Sequence, residues 1–310
     1  MNVATPSLLL GLDTLLERLP PFGPQARAAG LALGAVLLWS TWPTLATVAN
    51  PAPPFLIFGL AAAVGFVISF GVSTAQGKTA DFFATSPRTL AIVTIGLLAN
   101  NILYLLAIRR IGPAEANVIS YLWPVLLVAI MARLRRQLLG RVQGLGIAGA
   151  FIGAAVAIGP AFDNGFDATG ILLAFFSGLI FAIYAAVRSY GRETHDVVGP
   201  SMGLLAVLAL GFHWAFEPSA SLSLPQGLAI AGIGIAPLTL SNALWDRAVR
   251  TGCTAMISGI AYLTPLASLV LLAVFGVGTV STTVAAGALL VVIGALAASG
   301  FLPGSGKTRA

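Results

Sequence analysis

The sequence predicts an all-α polytopic membrane protein, with ten transmembrane helices arranged as two inverted five-helix repeats around a central cavity. Three observations carry this. Apolar residues make up 58% of the 310 and charged residues only 8%, whereas a soluble domain carries roughly a quarter charged. Apolar runs of roughly 20 residues, the length that crosses a hydrocarbon core, recur from residue 28 to residue 302. And "YLWP" at 121–124 returns as "YLTP" at 262–265.

Taken in order, the apolar runs give spans at 28–49, 54–74, 88–108, 114–132, 141–160, 170–189, 197–216, 226–246, 253–276 and 280–302. The first combines an aliphatic start with Trp39, Ser40, Thr41, Trp42 and Thr44; the third carries Asn100, Asn101 and Tyr104; the fourth carries Asn117, Ser120, Tyr121 and Trp123. In the second half the sixth holds Ser177 and Tyr184, the eighth Ser241, Asn242 and Trp245, and the ninth Ser258, Tyr262 and Thr264. The second, fifth, seventh and tenth are nearly pure aliphatic at their centres. Unpaired polar groups are costly in hydrocarbon, so the first set is expected to face a cavity and the second to face lipid or a partner. Small-xxx-small pairs in the fifth, Gly140/Gly144 and Gly149/Gly153, read as close helix packing, within the monomer or on a dimer face.

Charge follows topology. With the N-terminus inside, the cytoplasmic segments hold Arg18, Arg27, Lys78, Arg88, Arg133, Arg135, Arg136, Arg141, Arg188, Arg192, Arg247, Arg250, Lys307 and Arg309, fourteen of the sixteen basic residues. Only Arg109 and Arg110 fall outside, while the outer loops carry Asp163, Asp167 and Glu217. The positive-inside rule then puts both termini in the cytoplasm, and the net charge of +6 reflects orientation in a membrane and no nucleic-acid partner. Residues 1–27 form an N-terminal segment. Its Leu8, Leu12, Leu15, Leu16 and Leu19 recur at helical spacing, which fits a short helix lying on the membrane surface or an unordered leader. Residues 303–310 are a basic tail; its "GSGKT" lacks the first glycine and the following helix of a phosphate-binding loop. Cys253 is the lone cysteine, so no internal disulfide forms.

The tetrapeptide belongs to a longer match. "RRIGPAEANVISYLWP" at 109–124 aligns with "VRTGCTAMISGIAYLTP" at 249–265, and "LLWSTWP" at 37–43 faces "LIFAIYA" at 179–185, both at a shift of about 141 residues. The repeats are therefore read as 28–160 and 161–302. A unit with an odd number of spans must enter the membrane from the opposite side on its second pass. The halves become inverted, and inverted repeats place a transported solute near the midplane at their interface.

Prolines fall on the same spans as the polar residues. Pro43, Pro124, Pro237 and Pro265 each remove one helix hydrogen bond, leaving the carbonyls of Trp39, Ser120, Ile233 and Ala261 to meet a ligand, water or a local substitute. They read either as static kinks or as paired bends for gating. Ser and Thr in these spans can also simply bond their own helix. The candidate cavity residues are Trp39, Ser40, Trp42, Thr44, Asn101, Tyr104, Ser120, Tyr121, Trp123, Tyr184, Asn242, Trp245 and Tyr262, with Tyr121 and Tyr262 expected to face the cavity from opposite halves.

No Asp, Glu, Lys, Arg or His stands near the centre of a span. An intramembrane charge costs about 2.5–3.5 kcal/mol even on the lenient insertion scale and is kept for function. Proton exchange against a cationic drug and capture of a phosphate are therefore disfavoured. A neutral or zwitterionic solute fits: aromatic faces and carbonyls suit an ammonium, and amide, hydroxyl and indole donors suit a carboxylate. Gradient-driven movement without obligatory proton coupling is expected. His195 and His213 lie outside the span centres, so no membrane-embedded metal site or Ser–His pair forms; an enzyme, a metal or a cofactor is not expected. Carriers of other neutral metabolites or drugs, and a non-transporting scaffold or receptor-like protein, remain open on these residues alone, as does oligomeric state.

Ten helices in two inverted halves, "LLWSTWP" in the first span and prolines in the fourth and ninth resemble the drug/metabolite transporter superfamily, in its ten-helix EamA-type branch. Within that branch the chain is most similar to the YddG-type aromatic amino acid exporters. The resemblance covers about 28–302. It implies a central cavity lined by helices 1, 3, 4, 6, 8 and 9. It also implies export of aromatic and other apolar amino acids across a bacterial inner membrane, by alternating access through rocking of the halves.

Overall fold

The computed structural model describes residues 23–159, 167–188, 197–252 and 254–299, with the side chains of 250, 254, 255 and 258 excepted. The surface helix expected within 1–27, the tail from 303, His195, Cys253 and the Ser258 side chain lie outside it. The described residues are helical, without strands.

Ten apolar helices follow one another. They are α1 (Pro24–Ser40 and Trp42–Ala49), α2 (Pro54–Ala75), α3 (Pro87–Ile111), α4 (Pro113–Ser120 and Trp123–Leu134) and α5 (Arg141–Ile158), then α6 (Ala168–Arg188), α7 (Val198–Phe216), α8 (Leu224–Thr251 in three segments), α9 (Thr254–Ala261 and Thr264–Val274) and α10 (Thr282–Ala298). Eight are long and apolar enough to span a bilayer, and α9 and α10 are shorter apolar helices. The ten sit within a few residues of the runs read from the sequence. A one-turn helix, Thr79–Phe82, follows α2.

The breaks coincide with the prolines. Pro43, Pro124 and Pro265 each occupy the second position of a new segment, where a missing N–H leaves no bond unmade. At the α9 break a hydroxyl stands in for the lost backbone donor, Thr264 Oγ1 donating to the Ala261 carbonyl at 2.7 Å; at the α1 break Thr41 Oγ1 donates to the neighbouring Leu38 carbonyl at 2.7 Å. Pro237 is accommodated differently, in a π turn over Ala236–Leu240, a device that re-aims a helix without ending it.

Packing repeats between the halves. α2 lies along α7 and α5 along α10; α3 packs on α6 as α8 packs on α1, and α4 on α6 as α9 on α1. An axis exchanging each helix with the one five later maps every one of these pairs onto another or onto itself, which is the inverted repeat in contact form. The α5–α10 seam uses glycine for close approach: a Cβ on Gly153 would meet the Gly287 carbonyl at 2.7 Å, and one on Gly287 would meet that of Gly153 at 2.5 Å. The seam lies within the monomer, and it runs through Gly146 and Gly153; Gly144, flagged from the sequence, has open space beside it.

Helix alternation puts Arg27, Lys78, Arg88, Arg133, Arg135, Arg136, Arg141, Arg188 and Arg247 on one face, here the basic face, and Arg109, Arg110, Glu115, Asp167 and Glu217 on the opposite face.

Candidate functional site

A cavity of about 380 Å³ lies between the halves, within the range of roughly 300–1,000 Å³ typical of small-molecule sites. From the expected residues it draws Trp39, Trp42 and Pro43 of α1, Asn101 and Tyr104 of α3, and Ser120, Tyr121 and Trp123 of α4. The second half contributes Tyr184 of α6 and Pro237, Asn242 and Trp245 of α8. None of its lining residues is Asp, Glu, Lys, Arg or His.

Three expected side chains lie off the wall. Ser40 is fully buried and donates to the Val36 carbonyl at 2.7 Å, with the Thr264 carbonyl 3.1 Å away, so it ties α1 to α9. A short hydroxyl in a helix finds its own backbone before it finds a cavity. Thr44 is buried behind the wall with its hydroxyl unpartnered. Tyr262 packs, as Tyr121 does, against the apolar cluster shared by α4, α5, α9 and α10, but does not line the cavity. Inversion sets Tyr121 and Tyr262 at mirror depths, so a cavity closed at one face does not receive both. Pro124 and Pro265 are buried and also off the wall.

The carbonyls freed by proline do not all reach the cavity. That of Ser120 abuts Gly178 on α6, and that of Ala261 is taken by Thr264. Residues without a polar signal complete the wall: Leu97, Phe181, Ala185, Leu238, and Val198 and Met202 of α7. From its sequence the seventh span is expected to face lipid or a partner, because an apolar cavity wall and an apolar lipid face look alike in sequence. Ala261, Thr264 and Ser268 of α9, Asn100 of α3 and Asn117 of α4 also line it. Asp246 is next to Trp245 on α8 but is not on the wall.

Side chains are held by a few cross-links between the halves. Asn100 donates to both the carbonyl and the hydroxyl of Ser177 at 3.0 Å, and the Ser177 and Ser120 hydroxyls lie 3.2 Å apart. Aromatic pairs set the ring positions: Trp39 against Trp245 at 5.1 Å, Trp42 stacked on Tyr104 at 6.5 Å, and Trp123 edge-on to Phe181 at 5.0 Å. Trp214, read as a membrane-surface residue, is 88% exposed and takes no part.

The cavity reaches Val198, the first residue of α7, on the basic face, and ends toward the opposite face at Tyr104, Asn117 and Ser268, which are 4%, 3% and 1% exposed. Beyond them the 49–56 connection is clamped. Arg109 donates to the Asn50 side-chain oxygen at 2.8 Å and to the Pro51 and Ala52 carbonyls. Glu217 accepts from the N–H groups of Phe55 and Leu56 at 3.0 and 3.3 Å and meets His213 Nδ1 at 2.9 Å. Gln226 donates to the Ala49 carbonyl at 3.3 Å. Arg110 pairs with Asp167 at 3.2 Å, and the Gly170 N–H, with Arg110, holds the Asp167 carboxyl below the usual carboxylate range.

The chain is similar to known proteins in sequence and overall fold. Residues 26–159, the first five spans, match the EamA-like transporter family. The chain is 29% identical over 286 residues to an aromatic amino acid exporter, YddG, of Ancylobacter novellus, covering 89% of this chain and 98% of that one. A solved crystal structure superposes with a TM-score of 0.68 at 27% identity, covering 89% of this chain and 97% of the other. The family match is confined to the first five spans, and the likeness to an aromatic amino acid exporter runs through both halves.

Proposed function

We propose that this membrane transporter exports aromatic and other apolar amino acids by alternating access, driven by their own gradient without obligatory proton coupling. The observation that carries the reading is the wall itself: four tryptophans, three tyrosines and four asparagines, with no ionisable acid or base other than the phenols. Tryptophan and tyrosine faces take an aromatic side chain and an ammonium. A wall without acids has no carboxylate to trade protons against the solute. With both termini in the cytoplasm of a bacterial inner membrane, the cavity opens inward and the Arg109–Glu217 clamp closes the outer side. Pro43, Pro124, Pro237 and Pro265 are then the points about which half-helices swing as the clamp opens, and the two five-helix halves, 28–160 and 161–302, move against each other.

Uptake of radiolabelled phenylalanine into proteoliposomes, with and without an imposed pH gradient, tests this. Saturable uptake that competes with methionine and leucine and ignores the gradient is expected. Uptake that requires the gradient would overturn the coupling. Absence of both uptake and binding would overturn the amino acid reading.

A further inference from the structure

Most polar groups around the cavity are spent on the protein. Thr264 serves the Ala261 carbonyl, and Ser120 and Asn100 meet Ser177. Asn101 and Asn242 each give one amide N–H to their own helix. At the closed end the pattern changes. Asn117 and Ser268 line the cavity, and their Nδ2 and Oγ atoms are buried without a hydrogen-bond partner. Thr44 Oγ1, just behind the wall, is likewise buried and unpartnered. The three sit on the second half of α1, the first half of α4 and the second half of α9, segments that pack on one another.

Leaving one buried polar group unsatisfied costs about 1–3 kcal/mol, and three on mutually packed segments mark a place that something else completes. The sign of that partner follows from Asn117. Its Oδ1 accepts from the Tyr104 hydroxyl at 3.3 Å, so only N–H donors are left over, and Ser268 adds an O–H. No acidic side chain lines the cavity to repel an anion. A group that only accepts hydrogen bonds and carries more than one oxygen fits this end.

We propose that Asn117 and Ser268, with Thr44 behind them, form the subsite for the carboxylate of the transported solute, setting its orientation with the carboxylate toward the opposite face and the apolar side chain among the tryptophans. This rests on the amino acid reading above. It predicts selection for the carboxylate itself: phenylalanine is accepted, and phenethylamine, which lacks only that group, is not.

Binding to the purified full-length protein in detergent, read by quenching of tryptophan fluorescence, tests the assignment with three probes: phenylalanine, phenethylamine and 3-phenylpropionate. Wild type is expected to bind phenylalanine at least on the order of tenfold more tightly than phenethylamine, the worth of a charge-assisted hydrogen bond. Ser268→Ala and Asn117→Leu weaken phenylalanine by a similar factor and leave phenethylamine unchanged. Asn117→Asp, which keeps the shape and the acceptor for Tyr104, abolishes phenylalanine binding and improves phenethylamine; this isosteric variant, with an unchanged melting temperature, answers for Asn117→Leu should that one misfold. Phenylalanine bound equally by wild type, Asn117→Asp and Ser268→Ala would overturn the subsite and leave the amino acid reading standing. Binding of 3-phenylpropionate but not phenylalanine, lost in Asn117→Asp, would overturn the amino acid reading and support the subsite.

Discussion

Asn101 and Asn242 stand 141 residues apart and make the same bond: each side-chain amide donates at 2.8 Å to the carbonyl four residues earlier, Leu97 and Leu238, which are themselves 141 apart. Both asparagines line the cavity. The inverted repeat is therefore preserved at the level of a single side-chain hydrogen bond, facing the cavity from the two halves.

Each of these amides retains a carbonyl oxygen and a second N–H for the solute. Asn101→Leu and Asn242→Leu are expected to raise the apparent KM for phenylalanine by about two- to tenfold each, the worth of one net hydrogen bond. Proteoliposome uptake measures this. An effect confined to one of the two would show that the halves do not share the contact.

Gly178 tests the packing of α6 on the break in α4. A Cβ there runs into the Ser120 backbone carbonyl, and backbone cannot give way as a flexible side chain can. Gly178→Ala is expected to destabilise by about 1–3 kcal/mol, the usual cost of overpacking, seen as a lower melting temperature in detergent. Gly144→Ala, with open space beside it, leaves melting unchanged or slightly raised, because alanine is the better helix former.

The spans were legible because a ten-fold alternation of apolar runs and basic loops has one membrane reading, and the cavity helices were legible because polar groups in lipid need a reason. Aromatic and amide residues such as Trp42, Trp245 and Asn242 signalled their position through size and hydrogen-bonding demand. Serine and threonine did not: Ser40 and Thr44 look like Ser120 in sequence, yet only Ser120 reaches the wall; Ser40 bonds the Val36 carbonyl of its own helix, while Thr44 is buried with its hydroxyl unpartnered. Met202 and Val198 left no signal at all, because nothing in an aliphatic helix says whether it faces lipid or a cavity. The Tyr-Leu-x-Pro repeat marked both broken helices correctly, but of the two half-buried tyrosines, packed against the same cluster, only Tyr121 is on the wall. Sequence equivalence under inversion is equivalence of fold; one conformation, closed at one face, treats the two depths differently.

Glu217 is the keystone of the clamp on the opposite face. Its two oxygens take the first free N–H groups of α2, where a negative charge also meets the positive end of the helix. Glu217→Ala removes this cap and the His213 contact together. It is expected to cost about 0.5–2 kcal/mol of stability, the range for losing a helix cap. Thermal melting checks this. A cysteine pair across the clamp, labelled from the opposite face, should also become more reactive in the variant. Unchanged reactivity with lowered stability would leave Glu217 a cap with no part in closing that face.

Asp167 gives the clamp an acid limit with a defined sign. The Gly170 N–H, reinforced by Arg110, stabilises its carboxylate in the folded protein. Its folded pKa therefore lies below the unfolded value, near 3.8. The contribution is fully present above about pH 5 and is lost as pH falls below 3.8 toward the folded pKa. The melting-temperature difference between wild type and Asp167→Ala should accordingly hold constant from neutral pH down to about pH 5 and shrink below it. Asp167→Asn, which keeps an acceptor for Gly170 but loses the charge facing Arg110, should fall between the two at neutral pH and show no such acid dependence. A difference that grew on acidification would mean the carboxyl is held in its protonated form, and that Arg110 and Gly170 are not what it answers to.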